Sequence, residues 1–217
     1  GQWDAQERDE WADLLRRRLE PGQVLHLDRE GTDAASIEVA IVANPAPGSL
    51  AGLPRLRLIQ SLWAGVERLL EDPTLPPQVP LARMVDPAMS LAMAETALWA
   101  VLALHRGFFA YQRRQREGLW QPHGQRRADE VRVLVLGQGQ MGRTAAARIA
   151  QQGYAVTGWR RDGTPLPPLL ARGDIVVNLL PLTPDTRGLL NAAFFATLPP
   201  KASVVNLARG AHVVDAD

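Results

Sequence analysis

The chain has 217 residues, 46% of them hydrophobic, enough to bury a core in one large domain or two small ones. Its 24 basic and 23 acidic residues nearly cancel, which excludes the broad positive field of a nucleic-acid or membrane-surface binder and points to a small partner. With no cysteine, a disulfide framework, a thiolate nucleophile and a Cys-ligated metal are all excluded.

From Asp4 to Leu19, the residues Trp11, Leu14, Leu15 and Leu19 recur at helical spacing among charges, and Pro21-Gly22 closes the segment. This predicts an amphipathic helix. The opening GQWDAQERDE is too charged for an export signal, and the longest apolar stretch, Thr96 to Leu104, is short of a membrane span, so the expectation is a cytoplasmic protein with no membrane contact. VLHL at 24–27, IEVAIVA at 37–43 and RLRLIQSL at 55–62 are short apolar runs between Gly, Pro and Asp, predicted as parallel strands of an α/β unit. Pro73, Pro76, Pro77 and Pro80 leave residues 71–80 little regular structure, and the expected domain boundary falls near residue 85.

Residues 90–120 carry one long helical pattern, apolar on most sides in front and polar in its tail, so the front is expected to be buried between domains or subunits. VRVLVLG, the small-residue helix QGQMGRTAAARIAQQG and YAVTGW then form a βαβ unit. DIVVNLLPL at 174–182, NAAFFATL at 191–198 and ASVVNLA at 202–208 continue the alternation of strand and helix. The predicted domains are 1–84 and 85–217.

Gly137-Gln138-Gly139-Gln140-Met141-Gly142 matches G-x-G-x-x-G between a strand and a helix, where a dinucleotide site needs it. Gly137 permits the tight turn, Gly139 lets the backbone approach a pyrophosphate, and Gly142 lets helix and sheet pack closely. The N–H groups of the helix start, at Gln140 and Met141, then face the phosphates. The plain alternative is a glycine turn of any α/β protein. In NAD sites an acid ends the second strand, but here it runs into Trp159-Arg160-Arg161, which favours NADP over NAD because guanidinium groups pair with a ribose 2′-phosphate. Two solvated surface arginines are the competing reading.

Beside the glycine motif, SLWAGVERLL at 61–70, DPAMSLAMAE at 86–95 and LLPLTPDTRGLLNAAFFATLPPKASVVNLARGAHVVD at 179–215 resemble the D-isomer-specific 2-hydroxyacid dehydrogenases. The Trp-Ala-Gly-Val loop and Gly-Trp-Arg-Arg are similar to the glyoxylate/hydroxypyruvate reductase type. The resemblance implies two parallel-sheet domains of Rossmann-like or flavodoxin-like kind, the second binding the dinucleotide. It also implies reduction of a small 2-keto acid with NAD(P)H and a homodimer formed through the helix after Ser90.

The resemblance gives Arg209 the role of catalytic arginine, holding the substrate's carboxylate and keto oxygen. A planar, always-charged fork suits that role, and its place after a strand at the carboxyl edge of the sheet argues against an ordinary surface arginine. Trp63, Ala64 and Gly65 correspond to the loop whose main-chain N–H groups bind the substrate carboxylate. Trp63 is either a pocket wall or simple core. Leu180, Pro181, Leu182 and Thr183 correspond to the loop beside the nicotinamide ribose, and Leu207 and Ala208 precede the arginine in the same cofactor-facing segment.

In the family a Glu and then a proton-donating His follow the arginine by a few dozen residues, and the sequence reaches Asp217 before either. His26, His105, His123 and His212 do not match that position. The twelve residues 162–173, with Pro165, Pro167 and Pro168, cannot hold a third strand plus a crossover helix. The first domain starts on a helix where a flavodoxin-like order has a central strand. These gaps lead to the expectation of an incomplete chain. A nucleotide-sensing, corepressor-like protein and an inert fragment stand as the other functional readings.

Overall fold

A carboxylate starts the first helix: in the computed structural model, which describes residues 4–217, Asp4 Oδ1 accepts from Glu7 N at 2.8 Å. Helix α1 then runs over Ala5–Arg16. Its expected apolar stripe stays largely in solvent, with only Ala12 buried and Leu14 56% exposed. The chain divides into two units, Gly1–Val85 and Asp86–Asp217.

In the first unit β1 (Val39–Val42), β2 (Leu58–Ser61) and β3 (Leu81–Ala82) form a parallel sheet in that order, and a single-turn helix α2 (Glu67–Leu70) follows β2. Leu50, Leu56, Ile59, Leu69 and Val79 make its core. One predicted strand is absent and one unpredicted strand is present. VLHL at 24–27 forms no strand, and Val24 is 72% exposed. A strand exists only where a neighbour completes its ladder, and β1, the sheet's edge, pairs only with β2. Conversely, Leu81–Ala82, directly after the prolines, does enter the sheet, opposite Ile59 and Gln60.

The second unit opens on Asp86, whose Oδ1 accepts from Ala88 N at 2.9 Å, with Pro87 in the first turn of α3 (Pro87–His105). The single long helix expected over 90–120 is in fact two. Gly107, at φ +71, separates α3 from α4 (Phe108–Arg116), because a left-handed residue ends one helix and redirects the chain. By length and composition, the 19 residues of α3 are enough to cross a membrane, contrary to the expected absence of any such stretch. Its Ala94, Ala97 and Val101 nevertheless pack into the sheet core beside Val133, Val135 and Ile149.

Next come β4 (Arg132–Leu136), α5 (Gln140–Ala150), β5 (Ala155–Trp159) and the single turn α6 (Pro167–Leu170). β6 (Ile175–Asn178), α7 (Ala192–Thr197) and β7 (Ser203–Asn206) complete the unit. The four strands are parallel in the order β5-β4-β6-β7. As the prolines of 162–173 required, that segment supplies no strand. The chain leaves β4 toward β5 on one side and later returns to β6 on the other. The carboxyl end of β4 is therefore a switch point, where doubly wound sheets open a crevice for ligands.

Candidate functional site

The glycine motif sits at that switch point. Gly137 has φ +96, and a Cβ there would come within 2.7 Å of the Leu179 carbonyl oxygen. A Cβ at Gly142 would overlap the Gly137 carbonyl oxygen, so both glycines are demanded by the fold itself. Gly139 differs, since a Cβ there meets nothing within 4 Å. The space before it is open, as a bound pyrophosphate requires. Gly139 is also the N-cap of α5 and has no side chain to cap the helix, so the first-turn N–H groups at Gln140 and Met141 are served by none. Glycine at 139 and an uncapped helix start fit a phosphate group.

At the end of β5 a pocket of about 260 Å³ is lined by Gln138, Arg143, Gly158, Trp159, Arg160, Asp162 and Thr164. Gly158 lacks the Cβ that would collide with the Gln138 amide. Trp159 is buried and donates from Nε1 to Thr164 O at 2.9 Å, which closes the turn after the strand. The arginine pair is divided. Arg160 lines the pocket with Nε 2.5 Å from Asp162 Oδ2. Arg161 turns to the loop after β6, donating to Asp185 O at 2.7 Å. The Asp162 carboxyl is held below its usual range first by the hydrogen bond from Arg160 and then by those from Thr164. Arg143, Asp162 and Thr164 carry no motif, and sequence reasoning missed them.

The loop over 180–183 and the turn bearing Arg209 leave the adjacent ends of β6 and β7. Leu180 is buried and donates its N–H to Asn178 Oδ1 at 3.2 Å. Pro181 O accepts from Thr186 Oγ1 at 2.7 Å, and the same hydroxyl accepts from Thr183 N at 2.8 Å, while Leu182 is half-buried. Leu207 N donates to Asn178 O at 3.0 Å, and Ala208 N to Asn206 Oδ1 at 3.2 Å. Arg209 itself is exposed. His212, fully buried, has Nε2 3.3 Å from Pro181 O and accepts at Nδ1 from Arg209 N at 3.3 Å, so a ring with its proton on Nε2 ties both segments together. Asn178 and Asn206 were also missed, and His212 was weighed only as a proton donor. No glutamate follows Arg209 in the sequence.

In the first unit the Trp63-Ala64-Gly65 loop leaves the carboxyl end of β2. Buried Ser61 accepts from Trp63 N at 3.1 Å and lies 3.2 Å from Trp63 O, which fixes the loop's entry. Arg83 Nη1 reaches Ala64 O at 3.4 Å. Trp63 is 38% exposed and so is not simple core.

A parallel sheet with a switch point, an open glycine loop and an uncapped helix start define a dinucleotide-binding Rossmann unit. Comparison with known proteins makes this specific. Residues 98–217 match the family profile of the D-isomer specific 2-hydroxyacid dehydrogenase, NAD binding domain. The chain is 34% identical to glyoxylate/hydroxypyruvate reductase A of Yersinia enterocolitica, over 97% of this chain and 72% of that one. Among solved structures it is similar to a D-isomer specific 2-hydroxyacid dehydrogenase from Xanthobacter autotrophicus Py2 in complex with NADPH and MES. That match has 37% identity and TM-score 0.88, over 99% of this chain and 73% of that one. It is also similar to the NADPH-dependent glyoxylate/hydroxypyruvate reductase of Sinorhizobium meliloti in complex with NADP and sulfate. There the identity is 33% and the TM-score 0.83, over 96% of this chain and 72% of that one. The chain belongs to the D-isomer specific 2-hydroxyacid dehydrogenase family, oxidoreductases that use a nicotinamide dinucleotide.

Proposed function

We propose that the protein binds NADPH in preference to NADH and serves the reduction of a small 2-keto acid, of the glyoxylate or hydroxypyruvate class, to the D-2-hydroxy acid. The observation that carries this reading is the open space before Gly139 next to a pocket lined by Arg160 and Arg143. An open glycine supports a pyrophosphate, and arginines at the end of β5 support a 2′-phosphate. The Yersinia and Sinorhizobium relatives are described as glyoxylate/hydroxypyruvate reductases, and none of the relatives named above is described as a corepressor.

When bound, the dinucleotide supplies the hydride. In this reading Gln140 and Met141 N–H groups hold its phosphates, and the 180–183 loop with Leu207 and Ala208 borders the nicotinamide end. Arg209 grips the carboxylate and keto oxygen and stabilises negative charge growing on that oxygen. In the first unit, read as the substrate-binding domain, Trp63, Ala64 and Gly65 offer main-chain N–H groups suited to a carboxylate. No histidine of this sequence is assigned the proton transfer, since His212 is buried under backbone carbonyls.

The exposed Leu91 and Trp99 of α3 support the further reading of a homodimer formed through this helix, and the setting proposed is the cytoplasm. The test is calorimetric titration with NADPH and NADH, followed by an assay of NADPH loss with glyoxylate. NADPH binding with a clear preference over NADH is expected. Failure to bind either nucleotide would overturn the reading.

A further inference from the structure

Asp162 puts a carboxylate where the cofactor's phosphate is expected. Its Oδ2 lies 2.5 Å from Arg160 Nε, and its Oδ1 accepts from Thr164 Oγ1 at 2.9 Å and from Thr164 N at 3.3 Å. So anchored, it shares the pocket with Gln138, Arg143 and Arg160. We propose that Asp162 is a built-in counter-ion that competes with the ribose 2′-phosphate for Arg160 and so sets how strongly NADPH is preferred over NADH. The inference rests on the NADPH reading above.

A guanidinium already bonded to a carboxylate must release it before gripping a phosphate, so one charge-assisted bond is lost as another forms. The carboxylate also stays in the same small pocket, tethered by Thr164, where its charge repels the incoming dianion. NADH presents a neutral hydroxyl at this place and suffers neither effect. The penalty therefore falls on NADPH alone. Arg143, from the first turn of α5, lines the same pocket with no carboxylate partner among the described residues, so it is the cation ready to meet the phosphate first. The opposite role for Asp162, accepting the ribose hydroxyls of NADH as the acid of NAD-type sites does, predicts the opposite result.

The experiment compares the parent chain with Asp162→Asn and Asp162→Ser, the second keeping a short acceptor for Thr164 N. Each is titrated with NADPH and with NADH by isothermal calorimetry, and thermal unfolding is measured alongside. Both variants should bind NADPH about three- to tenfold more tightly, with NADH changed by less than about twofold. Unchanged or weaker NADPH binding in the folded variants, or a loss confined to NADH, would overturn the counter-ion. Arg160→Ser separates this from the underlying reading: if it leaves the NADPH and the NADH affinity each at its parental value, the 2′-phosphate assignment itself falls. If it abolishes the preference while the Asp162 variants gain nothing, only the counter-ion falls.

Discussion

Asn178 Nδ2 donates to Asn206 Oδ1 at 3.0 Å, joining the last residues of β6 and β7 side by side. Each amide then reaches one segment of the candidate site. Asn178 Oδ1 accepts from Leu180 N, and Asn206 Nδ2 donates to Arg209 O at 3.0 Å. Asn178→Asp is isosteric, yet it replaces the donor facing Asn206 Oδ1 by an acceptor and puts a charge at a fully buried position. It should cost about 1–3 kcal/mol in urea denaturation. An unchanged midpoint would show that the amide pair does not hold these strand ends.

The three glycines of the loop separate by what a side chain would meet. Gly142→Ala should lower the thermal midpoint strongly, because its methyl group overlaps the Gly137 carbonyl and the helix cannot keep its approach to the sheet. Gly139→Val points into open space at an ordinary φ of −71, so the variant should fold with near-parental stability yet lose NADPH binding. A folded Gly139→Val protein with parental NADPH affinity would mean that the open space is not where the pyrophosphate lies.

Arg160 and Arg161 are adjacent in sequence but not equivalent. Arg160 lines the pocket, whereas Arg161 is engaged by the Asp185 loop. Arg160→Ser should weaken NADPH by about 1.5–3 kcal/mol, the range of a hydrogen bond to a charged group, with little change for NADH. Arg161→Ser should have the smaller effect. Titration of both variants with both nucleotides checks the order, and a larger NADPH loss at Arg161 would reverse the assignment.

Asp174 makes a prediction about pH. Burial alone pushes its carboxyl pKa up. The hydrogen bond from Arg132 N, those from the Arg126 and Arg132 side chains and the charge of Arg126 together outweigh that and leave it below the usual range. A pKa depressed in the folded state adds stability above the unfolded value of roughly 3.9, and this is lost as pH falls through the folded value. Asp174→Asn should therefore be less stable than the parent at neutral pH by about 1–3 kcal/mol. The gap should close as pH drops below about 4. A gap that persisted undiminished in acid would show that the carboxylate's charge is not its source.

How much of this was legible in the sequence depends on how local the signal was. β4, α5 and β5 carry their own periodicity, and Gly137, Gly139 and Gly142 mark the turn between them, so that unit could be read residue by residue. VLHL at 24–27 has the composition of a strand but no neighbour to pair with, and pairing is not written in composition. Leu81–Ala82 is too short to show an alternation. Gly107 sits inside a pattern that continues past it, and only its left-handed backbone reveals the break. The site divides in the same way. Arg209 and the arginines after Trp159 stand in recognisable strings, whereas Asn178 and Asn206 are 28 positions apart and meet only because β6 and β7 pair in register. Asp162 reads as an ordinary turn residue until its carboxylate is seen to hold Arg160.

Arg209 carries the last prediction. Its carbonyl oxygen is held from two sides, by Asn206 Nδ2 and by the His212 backbone N–H at 3.1 Å, and its backbone is extended at φ −128, ψ 145, so the base of the side chain is fixed while the residue is exposed. A planar guanidinium so based makes charge-assisted hydrogen bonds to a 2-keto acid, each worth about 1.5–3 kcal/mol. Arg209→Met removes them all and should abolish binding of oxamate, an unreactive 2-keto acid mimic, to the NADPH-loaded protein. Arg209→Lys keeps the charge without the fork and should retain only part of that binding. NADPH affinity should survive in both, because the glycine loop and the Arg160 pocket are built by β4, α5 and β5. Calorimetry with NADPH first and oxamate second reads the two steps separately. Parental oxamate affinity in Arg209→Met would remove this residue from the keto-acid site. Loss of oxamate with NADPH retained would tie the exposed side chain, rather than the braced turn beneath it, to substrate recognition.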